Sequence, residues 1–254
     1  MTASFSTSSI QKVFSFPFAD PRWKSKLLIG MGILFASFII PILPALIVYG
    51  YFYQIMHVVI VKSEEPTLPE WQGWGKLLGD GFRLFGISFI YSLPMTILYF
   101  AGILVYGLMI FSIPWMETTG AEGGTVALVM IGIMSFFFLI IMLVTAFAVV
   151  LSVILPVAWC QTVANGSFKG GFEIAKFWKV FRANFGGFLI ATTLMYGLFT
   201  ILMMVYYVLY MSIVLWCLIP FLLIAGGMLT GLYSLVMWAS VYREGLDKLA
   251  AQVG

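Results

Sequence analysis

Four stretches of the chain carry no formally charged side chain: 27–61, 84–116, 123–168 and 183–242. A helix rises about 1.5 Å per residue, so about twenty apolar residues cross a bilayer core of about 30 Å. The second and third stretches therefore predict one long span each. The last is long enough for two spans. Their turn is expected between Met211 and Pro220, where Tyr206, Tyr207, Tyr210 and Trp216 form an interfacial belt. The first stretch is long for one span and short for two. Its middle, "IIPILPAL", holds Pro41 and Pro44, and two prolines three apart favour a turn.

The basic residues arbitrate. Lys12, Arg22, Lys24 and Lys26 precede the first stretch, and Lys62, Lys76 and Arg83 follow it. Lys169, Lys176, Lys179 and Arg182 lie before the last stretch, and Arg243 and Lys248 after it. Lysine and arginine accumulate in cytoplasmic loops. All four groups share that side only if 27–61 enters the membrane and returns as a Pro-broken helical hairpin. The alternative is one kinked helix that leaves 62–83 outside. The hairpin gives six membrane-entering helices, near 27–42, 44–61, 84–113, 125–160, 186–211 and 220–241. Both termini are then cytoplasmic in a multi-pass protein of the cell (inner) membrane. The loop "PWMETTGAEGG", with Glu117 and Glu122 and no cation, falls outside.

Two polar segments interrupt the apolar pattern. Thr67, Leu68, Pro69 and Glu70 match a capping box with proline near a helix start. Helical spacing then sets Trp71, Trp74, Leu78 and Phe82 on one face, and most charges on the other. Such a helix lies in the membrane interface and bends into the next span at Arg83. The second segment, "SFKGGFEIAKFWKVFRANFGGF", aligns Phe168, Phe172, Ala175, Trp178, Phe181 and Phe185 in one stripe. Opposite run Lys169, Glu173, Lys176, Lys179 and Arg182. Lys169, Lys176, Lys179 and Arg182 suit anionic lipid, each nearby cation contributing about 1 kcal/mol. Trp71, Trp74 and Trp178 are candidate interfacial anchors. The two elbows align weakly, Lys76 with Lys179 and Phe82 with Phe185. They are either halves of an elbow-plus-hairpin repeat, 67–160 and 167–242, or unrelated anchors.

Composition agrees with the pattern. Of 254 residues, 62% are hydrophobic and 9% charged, against roughly half and a quarter in soluble domains. The expected fold class is all-α: a polytopic transmembrane helical bundle, 1–254 forming a single membrane domain, with two amphipathic interfacial helices. No cleavable signal peptide is evident. A net charge of +3 is too mild to suggest nucleic acid. Cys160 and Cys217 are expected near opposite membrane faces, too far apart for a disulfide.

The segments "FPFADPRWKSKLLIG", "LPEWQGWGKLLGDGFR" and "NGSFKGGFEIAKFWKVFRANFGGFL" resemble a prokaryotic family of polytopic membrane proteins, catalogued as domain of unknown function number four thousand and thirteen. The resemblance spans roughly 14–245. Asp20-Pro21-Arg22-Trp23 and Leu68-Pro69-Glu70-Trp71 are its more specific parts. It implies a bacterial or archaeal cell membrane and supplies no functional residue.

Chemistry is sparse. No Asp, Glu, Lys or Arg lies within an expected span, which disfavours a proton- or ion-driven pump. One histidine and two distant cysteines cannot build a tetrahedral metal site, and no nucleotide motif occurs. No cofactor, metal or catalytic residue is assigned, and no enzyme activity is expected. Gln54 and His57, three apart, form a candidate polar spot, read either as a ligand site or as an interhelical hydrogen bond. Gly227 and Gly231 permit close helix approach. The expected function is a non-enzymatic accessory or scaffold subunit of a membrane complex, with lipids and other membrane subunits as partners. The alternative is a transporter or channel for a lipid or small neutral solute. A solid bundle interior favours the first, and a polar cavity near Gln54, His57 and Thr96 the second.

Overall fold

The computed structural model describes residues 7–120 and 122–253. The start of the N-terminal segment and Ala121, in the charge-poor loop, lie outside the described residues. Among these residues the fold is all-helical, 88% helix without strands. The α-helices are α1 (Thr7–Ala19), α2 (Trp23–Ala36), α3 (Leu43–His57), α4 (Trp74–Thr118), α5 (Gly123–Asn165), α6 (Ile174–Ala183), α7 (Phe185–Met211) and α8 (Ile219–Val253). Five segments are long and apolar enough to cross a membrane: Leu43–Lys62, Trp74–Met116, Gly123–Asn165, Phe185–Met211 and Leu215–Gln252. The sixth expected segment is α2, whose 14 residues rise about 21 Å, short of a bilayer core of about 30 Å.

The stretch 27–61 is two helices and not one kinked helix. α2 stops at Ala36 and α3 starts at Leu43, with Pro44 in its first turn, where its missing N–H costs nothing. Between them the chain reverses through a tight turn. Ile42 sits at φ 76°, ψ −58°, and the Leu43 N–H donates to the Pro41 carbonyl at 2.9 Å. This is a γ-turn of the rare positive-φ kind. Both ends of the hairpin meet, because Lys12 pairs with Glu65 at 2.7 Å and Arg22 with Glu70 at 2.6 Å. A single crossing cannot make ion pairs between residues on its two sides. The C-terminal part of α8 joins the same end: Arg243 donates to the Ile60 carbonyl at 3.0 Å and contacts the Ser63 hydroxyl.

By packing, the chain forms two compact units, one from residues up to Ile87 and from Pro156 onward, the other Ser88–Leu155. In the first, the middle of α8 is the most covered part. Met228, Leu232, Val236, Met237, Trp238, Val241 and Tyr242 are each at most 1% exposed. The Trp238 ring lies 5.5 Å from Phe188 of α7. α3 and α4 touch backbone to backbone. A Cβ on Gly50 would strike the backbone of Leu77, and one on Gly81 would strike the Leu46 carbonyl and the Gly50 nitrogen. The pair singled out by sequence, Gly227 and Gly231, has a lesser part. Gly227 faces open space, and Gly231 meets only the Phe52 ring at 3.2 Å.

The second unit is built from the later part of α4 and the earlier part of α5. Tyr106 packs on Phe137 at 4.5 Å between ring centroids, and Gly102 lies against Ile140. Its other faces are apolar and exposed, with Phe100, Phe111, Leu128 and Phe138 open. A helix so apolar yet so uncovered suits lipid as its surroundings.

Only one of the two expected interfacial helices is a separate element. α6 is a short amphipathic helix, preceded by a 3₁₀ turn Phe168–Phe172 and ending where Asn184 leads into α7. The stretch 67–73 is not helical, and α4 runs from Trp74 straight through Arg83. The capping box is overruled because the Glu70 carboxylate binds Arg22 and Lys26 in place of a backbone N–H. The helix is unbroken at Arg83, and Leu84 and Ile87, which follow it, are fully buried.

At the far end of α7 the chain turns through a 3₁₀ segment, Ile213–Leu218, within the expected interval. Neither cysteine forms a disulfide; Cys160 is buried and Cys217 exposed on that turn. α7 has 27 residues, about 40 Å of rise, so Cys217 lies far from the basic end. With basic segments inside, a membrane-impermeant maleimide added to intact cells is expected to label the protein, and the Cys217→Ser variant to remain unlabelled. Labelling only after permeabilisation would reverse the orientation.

A candidate polar pocket beside a pinned strap

Residues 63–73 form an extended strap between α3 and α4. Ser63 opens it in the left-handed region at φ 61°, where the preceding π-helical turn Val58–Lys62 gives way. Leu68 is its buried foot, 3% exposed. Lys26 holds it from α2. Its side chain is 7% exposed, and the ammonium donates to the Leu68 carbonyl at 2.6 Å and pairs with Asp20 at 2.5 Å and Glu70 at 2.8 Å. Trp71 stacks on Tyr51 of α3 at 3.9 Å and donates its indole N–H to the Lys26 carbonyl at 2.8 Å. The Tyr51 hydroxyl donates to the Pro69 carbonyl at 3.1 Å. Trp71 is thus occupied by packing, whereas Trp74 and Trp178 are exposed.

The strap's charges shift one another. Lys26 loses solvation by burial, which pulls its pKa down. Its hydrogen bonds to Asp20 and Glu70 outweigh this and leave it above its ordinary 10.5. The Lys26 hydrogen bond, with the Arg22 backbone N–H, holds Asp20 below its ordinary 3.8. Lys12 lowers the exposed Glu65.

The strap walls one side of a pocket of about 540 Å³. Tyr53, Gln54 and His57 line it from α3, and Lys62 from the π turn. Glu70 and Gln72 belong to the strap, and Lys76, Asp80 and Arg83 to the start of α4. Gln54 and His57 thus share one wall, as their spacing predicts. Thr96 lies in the other unit and is not among the lining residues. Asp80 escaped sequence reasoning. It lies in the first turns of α4, ahead of the uncharged stretch 84–116, which carries no charge as expected. Asp80 is 6% exposed, and its Oδ1 accepts from Arg83 at 3.2 Å, while its Oδ2 has no hydrogen-bond partner.

The basic residues of the second elbow are dispersed. Lys176 donates to the Asn165 side chain at 2.7 Å. Lys169, Lys179 and Arg182 are exposed, with Arg182 stacked 4.8 Å over the Trp178 ring. α6 buries Val180 where Gly245 of α8 presents a bare backbone, and Trp178 of the aromatic stripe is exposed. Asn184, 3% exposed, fixes the joint. It donates to the Val241 carbonyl at 2.9 Å and accepts from Lys248 at 2.7 Å.

No curated protein and no solved structure matches the chain. A family model described as "Protein of unknown function (DUF4013)" matches residues 33–211. That range takes in the strap, the pocket walls from α3 and α4, and α6, but stops short of Asp20, Arg22 and Lys26. As the match covers well over half of its length, the chain belongs to the DUF4013 family.

Proposed function

We propose that this non-enzymatic membrane protein binds the polar head of a lipid, or a small polar solute, in the pocket walled by the strap, and serves in its transport or handling. The carrying observation is the pocket itself: about 540 Å³, lined by Gln54, His57, Lys62, Lys76, Asp80 and Arg83. Cavities of this size take small ligands. A few converging polar and charged groups on a pocket wall fix a ligand's orientation. Three cations and two carboxylates favour a charged or zwitterionic ligand over a neutral one. The basic residues Lys169, Lys179 and Arg182 support placing this end of the protein at an anionic cytoplasmic leaflet.

The test is gentle extraction from the native membrane, then mass spectrometry of everything retained after a detergent wash. The expected result is a stoichiometric polar lipid or solute, lost in a Gln54→Ala, His57→Ala double variant that still elutes as a monodisperse species. Stoichiometric partner subunits with no small molecule retained would return the reading to a scaffold.

A further inference from the structure

The pocket's charges are not equivalent, and their inequality defines a ligand; this inference rests on the pocket being a binding site. Glu70 is already taken by Arg22 and Lys26. Asp80 is the other carboxylate on the wall. It is more than nine-tenths buried, held by a single Arg83 contact at 3.2 Å, with its second oxygen unpaired. A buried acceptor left without a donor is costly. A long one-point contact also falls short of the bidentate pairing arginine can make. The torsion that swings the carboxylate is soft, so either oxygen can be turned to the pocket. On the cationic side, Lys62 and Lys76 are exposed on the lining. Their ammonium groups make no hydrogen bond or salt bridge among the described residues, unlike those of Lys12, Lys26, Lys176 and Lys248. Lys76 and Asp80 stand one turn apart on α4, about 6 Å along its axis. One unsatisfied acceptor and one ammonium without a salt bridge at that separation, with Lys62 on the same lining, match a short zwitterion.

We propose that the pocket binds a phosphoethanolamine group, its primary ammonium donating to Asp80 and its phosphate held by Lys62 and Lys76. An ammonium that carries N–H gives Asp80 both a donor and a countercharge. A choline headgroup offers the same charge with no donor, and phosphatidylglycerol offers hydroxyls without the positive charge. The group is either the head of a phospholipid or a free glycerophosphodiester, and both present the same chemistry.

The experiment uses the full chain, delipidated in detergent. Native mass spectrometry and competition follow phosphatidylethanolamine, phosphatidylcholine, phosphatidylglycerol and soluble glycerophosphoethanolamine. Phosphatidylethanolamine is expected to bind at least tenfold more tightly than phosphatidylcholine. Asp80→Asn should abolish that preference, weakening phosphatidylethanolamine more than phosphatidylcholine. Lys62→Gln, at an exposed position where folding is safe, should weaken both lipids alike. Binding of glycerophosphoethanolamine as tight as that of phosphatidylethanolamine supports the group with a soluble source. A clear advantage for the lipid supports it with a membrane source. Equal affinity for the two zwitterionic lipids, or a preference for phosphatidylglycerol, overturns the headgroup assignment and leaves the pocket reading standing. If no compound binds and neither variant changes retention, the pocket reading falls as well.

Discussion

Gly81→Ala is expected to destabilise the protein by about 3 kcal/mol or more, although it adds one carbon. Overpacking costs about 1–3 kcal/mol where side chains can give way. Here the added Cβ meets the Leu46 carbonyl and the Gly50 nitrogen, both backbone, so a whole helix must retreat. Retreat of α3 from α4 would separate the two walls of the pocket, Gln54 and His57 on one and Lys76 and Asp80 on the other. The loss should appear as a fall in the detergent melting temperature of about 6–12 °C and as weaker ligand retention. The control is Gly79→Ala on the same helix, where nothing lies within 4 Å. There the higher helix propensity of alanine should leave stability unchanged or raise it by up to about 1 kcal/mol. Equal melting temperatures for the two variants would rule out a backbone contact between α3 and α4.

The second large effect concerns Lys26→Met. The stem stays apolar and of similar length, so packing is kept while the charge is lost. Asp20 then faces a buried site without its cation, Glu70 keeps only Arg22, and the Leu68 carbonyl loses its donor. Breaking a buried pair from one side costs about 3–5 kcal/mol. Local release should precede global unfolding: the strap 63–73 should exchange its amide protons faster and become open to protease, with α8 still protected. The pH dependence has a defined sign. The folded pKa of Asp20 is lowered, so its contribution is present above about 4 and disappears as pH falls through the folded value. The folded pKa of Lys26 is raised, so its contribution is complete below 10.5 and disappears as pH rises past the folded value. The stability gap between wild type and Lys26→Met should therefore stay flat from about pH 5 to pH 9 and narrow at both extremes. A gap that varied across neutral pH would mean that some other group carries the energy.

Both predictions rest on features that differ in how far the chain announces them. The apolar stretches, the proline turn at 41–44 and the turn at 213–218 follow from one-dimensional pattern, and the structure has them. They are legible because bilayer thickness sets the length of a helix and proline stops one, whatever the neighbours are. The amphipathic character of α6 is legible for the same reason, since charges three and four apart share a face in any helix. Of the two strings singled out for the family resemblance, Leu68-Pro69-Glu70-Trp71 lies within the matched range 33–211 and Asp20-Pro21-Arg22-Trp23 outside it. Asp20-Pro21-Arg22-Trp23 and Leu68-Pro69-Glu70-Trp71 are the two parts that meet in the Arg22–Glu70 and Lys26 contacts.

What the chain could not announce was decided by contacts between residues distant in sequence. Thr67 to Glu70 has the spelling of a helix start, but Lys26, some forty residues earlier, claims Glu70 and the Leu68 carbonyl, and a local preference of about 1 kcal/mol yields to a buried ionic knot. Lys76, Asp80 and Arg83 read as the polar face of an interfacial helix because helical spacing tells which residues are neighbours and not which are covered. Only the placement of α3 and the strap buries Asp80 and leaves Lys62 and Lys76 at the rim. Gly50 and Gly81 look no different in sequence from Gly227 and Gly231, since a glycine's worth depends on what approaches it. The sequence by itself therefore determined the solvent of this protein, its helices and most of their ends. Tertiary structure decided which charges pair, which glycines touch, and where the pocket lies, because burial belongs to pairs of segments and no single segment carries it.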